Sequence, residues 1–439
     1  MKKILILTVT AGNAHNACAK AMKEKLESMS DVEVKVIDLL KEYSKALKVW
    51  TADKGYNIAV AHFRHVYNMF YEIYKNVPPE DRYKCAAQGM ALSVLDGLLK
   101  EIYTFKPDVI YGTHFYAGIA LTDLKLVYNI PCKVIITSLD YCLSPFWEAC
   151  VGVDYFALPC EDFIEESIQE GFKLEQLVVS GIPVNEKFYV EKDKKEAKEE
   201  LGLNPNVFTI MIMFGGGHWA GGFKIFKELI EIVQNRNVQI IMINGRNKEG
   251  FNKVAKMHFP DNIKVINVGF TNQVDLYMSA SDIMLNKAGG SSCTEIINKK
   301  LPMIVTEILP AQEKHNLKFL KEKGIVKSFK NKKELKEIIF DLMDHKDHYD
   351  TMVANTLLLR RNGIDILANL ILSQPNAIYN DEYISNINYK KVVSQVKKAL
   401  TKEHKTTKKE VKIEKKEVKK KLKQNGGKFK YGKNSSSYW

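Results

Sequence analysis

Short runs of continuous apolar residues recur along the chain, and between them apolar positions return every three or four residues. The first series of runs covers residues 3–8, 32–38, 108–113, 133–138, 155–159 and 177–180. A strand covered on both faces has no polar side to alternate with, so such runs predict buried parallel strands, and the intervening periodicity predicts helices. Residues 1–185 therefore read as one doubly wound α/β unit. A second series, at 209–213, 239–244, 264–268, 282–286 and 302–306, predicts another Rossmann-like unit over residues 186–375. A helical stretch near 333–372 is expected to close that unit and return to the first. Gly181-Ile182-Pro183-Val184 and a lysine-rich helix at about 191–201 read as the crossing between the units.

Two segments break this alternation. Within residues 57–75, Phe63, Tyr67, Phe70, Tyr71 and Tyr74 share one helical face, flanked by Arg64, Lys75, Arg82 and Lys84 and ended by Pro78-Pro79. Such a stripe fits a core-facing helix, and its basic flanks equally fit a surface that dips into a bilayer. Residues 388–439 form a lysine and glutamate tract with few large apolar positions, which reads as a disordered tail or a solitary charged helix.

Charge sharpens the division. The formal net charge is +13, but residues 390–433 alone hold 18 lysines and 4 glutamates, leaving 47 basic against 48 acidic residues elsewhere. The body is thus near neutral, while the tail suits an anionic surface. Lysine without arginine or interleaved aromatics reads bases poorly, so nucleic acid is not an expected partner. The apolar run at 4–7 ends in Thr8, Thr10 and Asn13, too soon for a signal-peptide core, and no run reaches the roughly 18 residues of a membrane span. Seven cysteines without paired spacing fit a reducing cytoplasm. No metal-ligand spacing such as Cys-x-x-Cys occurs, and nothing in the composition calls for a cofactor.

The candidate chemistry sits where strands end. Lys287-Ala288-Gly289-Gly290-Ser291-Ser292-Cys293-Thr294-Glu295 reads as a strand exit, a glycine turn and the first turn of a helix. Two glycines let backbone approach a phosphate, and the helix start offers unpaired N–H groups and hydroxyls. Glu295 lies one turn in, where a carboxylate can accept from both hydroxyls of a ribose. The polar exit after the next strand holds Gln312, Glu313 and Asn316. Phe214-Gly215-Gly216-Gly217-His218 follows the first strand of the second unit, a side-chain-free loop that suits a diphosphate or acceptor and equally a wide turn. In the first unit, Gly12-Asn13-Ala14-His15 leads into a helix, so His15, with a pKa expected near neutrality, is either a base in the cleft or a turn residue. His114 and Asp140 follow other strands and could line the same cleft. Asp140 is the alternative base. The absence of GxGxxG with a following acid argues against a dehydrogenase.

Taken in order, the turn at Gly12 to His15, Ser180-Gly181-Ile182-Pro183-Val184, the triple glycine, Gly269-Phe270-Thr271 and the segment from Lys287 to Asn316 resemble the monogalactosyldiacylglycerol synthases and bacterial diacylglycerol glucosyltransferases, relatives of the peptidoglycan N-acetylglucosaminyltransferase. The resemblance runs from Lys3 to about Leu372. It implies a GT-B fold, two Rossmann-like domains facing a cleft, and inverting transfer of a hexose from a UDP-sugar to a lipid hydroxyl, without a metal. Carried over by position, His15 is the base, Gly289, Gly290 and Ser291 meet the diphosphate, and Glu295 holds the ribose. Gln312, Glu313 and Asn316 hold the sugar hydroxyls or align the loop, Lys287 belongs to the same donor segment, and the main chain at Phe270 meets the uracil. The expected setting is the cytoplasmic face of the membrane, where the aromatic helix and the basic tail, which is not part of the family core, would hold the enzyme. The chain departs from the family pattern in a glycine-poor first turn and in Phe115 after His114. The acceptor could also be a soluble or polyprenyl-linked glycan, or the protein a UDP-sugar sensor.

Overall fold

The computed structural model describes residues 1–10, 14–43, 86–128, 130–143, 146–214, 221–306, 311–380 and 394. Gly12, Gly216 and Gly217, the stripe of Phe63, Tyr67, Phe70 and Tyr71, and the lysine-rich tail apart from Ser394 lie outside them.

Twelve parallel strands among the described residues make two six-stranded sheets. The first holds β1 (Lys2–Thr8), β2 (Val32–Asp38), β3 (Val109–Gly112), β4 (Lys133–Thr137), β5 (Tyr155–Leu158) and β6 (Leu177–Val179), in the order β2-β1-β3-β4-β5-β6. The second holds β7 (Phe208–Met213), β8 (Val238–Ile243), β9 (Ile263–Val268), β10 (Ile283–Asn286), β11 (Met303–Thr306) and β12 (Val326–Phe329), in the order β12-β11-β10-β7-β8-β9. All the expected strands form, each within two residues of its predicted ends. Strand β12 was not foreseen: it is a four-residue edge strand, and Lys327 and Ser328 interrupt its apolar pattern.

Burial explains the unbroken apolar runs. Along β7, Ile210 and Ile212 pack into a core on one side of the sheet, while Met211 and Met213 join a second core on the other. Strands β8, β10 and β11 divide in the same way. The second core is continuous with that of the first sheet, where Ile4, Leu5, Ile6 and Leu7 are wholly buried, so the two halves share apolar packing. Full burial of each such side chain contributes about 1.5–3 kcal/mol.

The crossing segment is less of a linker than its sequence suggests, because Ile182 and Val184 are buried. Gly181 takes a positive φ of 81°, and the chain passes so close to Gly363 that a Cβ there would lie 2.9 Å from the Gly181 carbonyl oxygen. The helix Gly363–Ser373 does return to the first half, where Lys25 pairs with Asp365 at 2.7 Å and Lys2 donates to the Leu372 carbonyl at 2.9 Å. No helix among the described residues is long and apolar enough to cross a membrane.

Candidate active site at two facing switch points

In an open parallel sheet, a crevice forms at the carboxyl ends of the two strands where the winding reverses. The strand orders place that point between β1 and β3 in the first half and between β7 and β10 in the second. His15 and His114 follow β1 and β3, and Lys287 to Ser291 follow β10, while Asp140 follows β4, Gln312, Glu313 and Asn316 follow β11, and Phe270 follows the edge strand β9.

After β1, the helix Ala14–Met29 begins with Ala14 and His15. Its start is tied down by Asn16, which accepts from the Thr8 hydroxyl at 3.0 Å and donates to the Thr10 hydroxyl at 3.0 Å. His15 Nδ1 lies 2.5 Å from the Thr113 carbonyl oxygen at the end of β3. A carbonyl only accepts, so Nδ1 carries the proton and Nε2 keeps its lone pair. Burial pushes the imidazole down to about 4, against the opposing pull of that hydrogen bond. This departs from the pKa near neutrality expected from the sequence, because β3 and its exit loop desolvate the ring. His114 stands beside it, with ring centroids 4.5 Å apart. Its Nδ1 accepts from the Tyr116 N–H at 3.1 Å, and burial, then His15, hold it well below the ordinary histidine range. Both imidazoles are therefore neutral at pH 7.

After β10, Gly289 caps the helix Gly290–Asn298 with an extended backbone (φ −75°, ψ 131°), and no side chain caps that end. Early N–H groups of a helix have no internal partners, and they carry the positive end of its dipole. Ser292 and Thr294 spend their hydroxyls on the Gly289 and Gly290 carbonyls, at 3.0 and 2.9 Å. Lys287 pairs with Glu313 at 2.5 Å. Asn316, fully buried at the next strand exit, donates to the Ala288 carbonyl at 2.9 Å. Three buried atoms here, Ser291 Oγ, Glu313 Oε2 and Asn316 Oδ1, make no hydrogen bond within the protein. Buried polar atoms of this kind are normally satisfied, so the donor side is equipped for a polar ligand. Gln312 is half-buried at the start of the same helix.

Burial raises Glu295 to about 7, with Lys187 opposing. Phe270, beyond β9, is 65% exposed, with the Arg246 guanidinium 5.3 Å from its ring centroid. Asp140 contacts the donor side directly, because Asn316 Nδ2 donates to its carboxylate at 2.8 Å and the Gly290 N–H also bonds it. The carboxylate that the sequence offers as an alternative base thus sits against the helix start. The structure thus brings His15 and His114 together on one side, and Lys287, Gly289, Gly290, Ser291, Glu313 and Asn316 on the other, with Asp140 crossing between.

Sequence reading missed Thr113 as the group that fixes His15, Tyr141 as a clasp to Thr294 (2.9 Å), and Lys187 opposite Glu295. Each pairing joins residues about a hundred or more positions apart, and no local pattern announces it. Asp341, His345 and His348 form the one described cluster able to hold a metal ion. It is largely exposed and contains none of the candidate site residues.

A family model for monogalactosyldiacylglycerol (MGDG) synthase matches residues 15–184, and one for the glycosyltransferase family 28 C-terminal domain matches residues 211–364. A processive diacylglycerol beta-glucosyltransferase of Staphylococcus carnosus is 30% identical over 345 residues, covering 78% of this chain and 84% of that one. One from Staphylococcus epidermidis is 29% identical over 391 residues, covering 86% and 96%. MurG of Acinetobacter baumannii shares the fold, with a TM-score of 0.57 at 14% identity over 85% of this chain and 99% of that one. The chain is a glycosyltransferase of the GT-B fold and belongs to the monogalactosyldiacylglycerol synthase and diacylglycerol glucosyltransferase family.

Proposed function

We propose that this enzyme transfers a hexose from a UDP-sugar to diacylglycerol at a membrane surface, with inversion at the anomeric carbon. The observation that carries the reading is the uncapped Gly290 helix, flanked by Lys287 and by the unpartnered Ser291, Glu313 and Asn316 atoms, at the switch point of the second sheet. The names of the relatives support the lipid acceptor. Helix N–H groups, Ser291 and Lys287 take the diphosphate, which lets charge build on the leaving group without a metal. Glu295 accepts from the ribose, the main chain at Phe270 meets the uracil, and Gln312, Glu313 and Asn316 meet the sugar hydroxyls.

The acceptor hydroxyl gives its proton to His15 Nε2 as its oxygen bonds to the anomeric carbon. The bond from that carbon to the diphosphate breaks, and UDP leaves with the electron pair. A neutral His15 is available as a base throughout the neutral range, and a diphosphate nearby favours the imidazolium that forms. The aromatic stripe at 63–71 and the lysine tail supply the membrane contact.

The test is UDP release from a panel of UDP-hexoses, with and without anionic vesicles containing diacylglycerol, with product identified by mass spectrometry. Release that requires one UDP-hexose and diacylglycerol together, with a β-linked glycolipid formed from an α-linked donor, is the expected result. Transfer to a soluble glycan instead would overturn the acceptor. His15→Ala should lower kcat by about 10²–10⁴-fold with UDP affinity kept, and unchanged turnover would remove His15 from the mechanism.

A further inference from the structure

The loop after β4 lies directly on the start of the donor-side helix. A Cβ at Gly290 would fall 1.9 Å from the Leu139 carbonyl oxygen and 2.9 Å from Asp140 Cα, so backbone meets backbone here with no side chain between. Asp140 fills the seat this contact creates. Its carboxylate takes the Gly290 N–H and the Asn316 amide, near the Lys287 ammonium. Tyr141 fastens the loop through its hydroxyl contact with Thr294 and by stacking on Phe319, with ring centroids 5.9 Å apart and planes 10° apart. The buried Ser291 Oγ and Asn316 Oδ1 beside it stay unpartnered, so the carboxylate uses only part of the hydrogen-bonding capacity there.

We propose that Asp140 is a positioning residue that occupies the anion seat of the Gly290 helix in the free enzyme and yields it to the donor's diphosphate, so that donor binding frees the β4 loop. The proposal rests on the reading that a nucleoside diphosphate binds at this helix. Two anions at one helix start repel, and each competes for the same N–H groups and the same lysine charge. Displacement is made easier because burial already raises the Asp140 carboxyl above its usual range, which favours proton uptake as the diphosphate arrives. Donor binding then has a structural consequence on the first half of the molecule, since Leu139 and Tyr141 move with Asp140.

Calorimetric UDP titration of the full chain at pH 7.5 and low salt tests this with wild type, Asp140→Asn, Asp140→Ser and Asp140→Glu. Both neutral variants should bind UDP on the order of five- to tenfold more tightly, with the gap narrowing at high salt, and the glutamate variant should stay near wild type. A merely structural role would weaken binding in the neutral variants or leave it unmoved. Equal or weaker UDP binding by the folded neutral variants, alongside normal binding by wild type, would overturn the proposal and leave the donor assignment standing. Failure of wild type to bind UDP or any other nucleoside diphosphate would overturn the donor assignment and the proposal with it.

Discussion

At the scale of single residues, Glu295 separates function from stability. Its carboxyl titrates at about 7 in the folded protein, against 4.5 as the ordinary value, because burial disfavours the charge. The folded state therefore holds a proton that the unfolded state releases between pH 4.5 and 7, and stability falls as pH rises through that window. Glu295→Gln removes the penalty, so its Tm should exceed that of wild type at pH 8 and match it at pH 4.5, as differential scanning calorimetry would read. The same substitution should weaken UDP binding at pH 8 by about tenfold, since an amide cannot accept from both ribose hydroxyls as a carboxylate does. In wild type, UDP affinity should decline as pH drops through 7 for the same reason. The sequence identified Glu295 from its position one turn into a helix. Its raised pKa was not legible there, because it arises from burial in the folded chain, which outweighs the opposing charge of Lys187 more than a hundred residues away.

At the scale of elements, the candidate residues sit at strand exits and the glycine turn sets how closely the halves meet. Much of the layout was legible: continuous apolar runs located the strands, and Gly289-Gly290 located the turn into the helix Gly290–Asn298. The contact made by Gly290 was not, because the sequence cannot say which loop of the other half comes against it. Gly290→Ala must push Leu139 back, and the atom in the way is a backbone carbonyl with no rotamer to change. Overpacking of this kind costs about 1–3 kcal/mol. The expected result is a Tm several degrees lower and turnover reduced at least tenfold. Gly289→Ala serves as the control, since its Cβ would meet a side-chain atom, the Ser292 hydroxyl, at 3.3 Å rather than a backbone carbonyl at 1.9 Å, and should disturb folding far less. Strand β12 escaped the sequence reading because an edge strand is half-solvated and its apolar run is short.

At the scale of the whole molecule, the direction of the strands constrains how the enzyme can meet a membrane. After the helix Gly363–Ser373, the chain runs along the amino ends of the first sheet, where the Ala377 N–H donates to Asp108 at 2.8 Å and the Tyr379 hydroxyl donates to the Pro107 carbonyl at 2.7 Å. The candidate site lies at the carboxyl ends of the same strands. The described chain thus ends, just past Tyr379, on the face opposite the site, whereas the helix Leu39–Tyr43, the last described element before residue 44, follows the carboxyl end of β2. Under the proposed membrane reading, a tether attached where the described chain ends would concentrate the enzyme on a surface without presenting a lipid to His15. Its lysines each contribute on the order of 1 kcal/mol near an anionic bilayer at modest salt. Deleting residues 388–439 should therefore weaken sedimentation with anionic vesicles more than tenfold at about 0.1 M salt, with the difference lost at high salt or on neutral lipid. Turnover on detergent-solubilised diacylglycerol should stay within about twofold of wild type, because every described candidate residue lies at or before Asn316. Equal vesicle binding with and without the tail would assign the surface contact to the stripe side alone. A loss of turnover in detergent would mean that the tail reaches around the fold to the site.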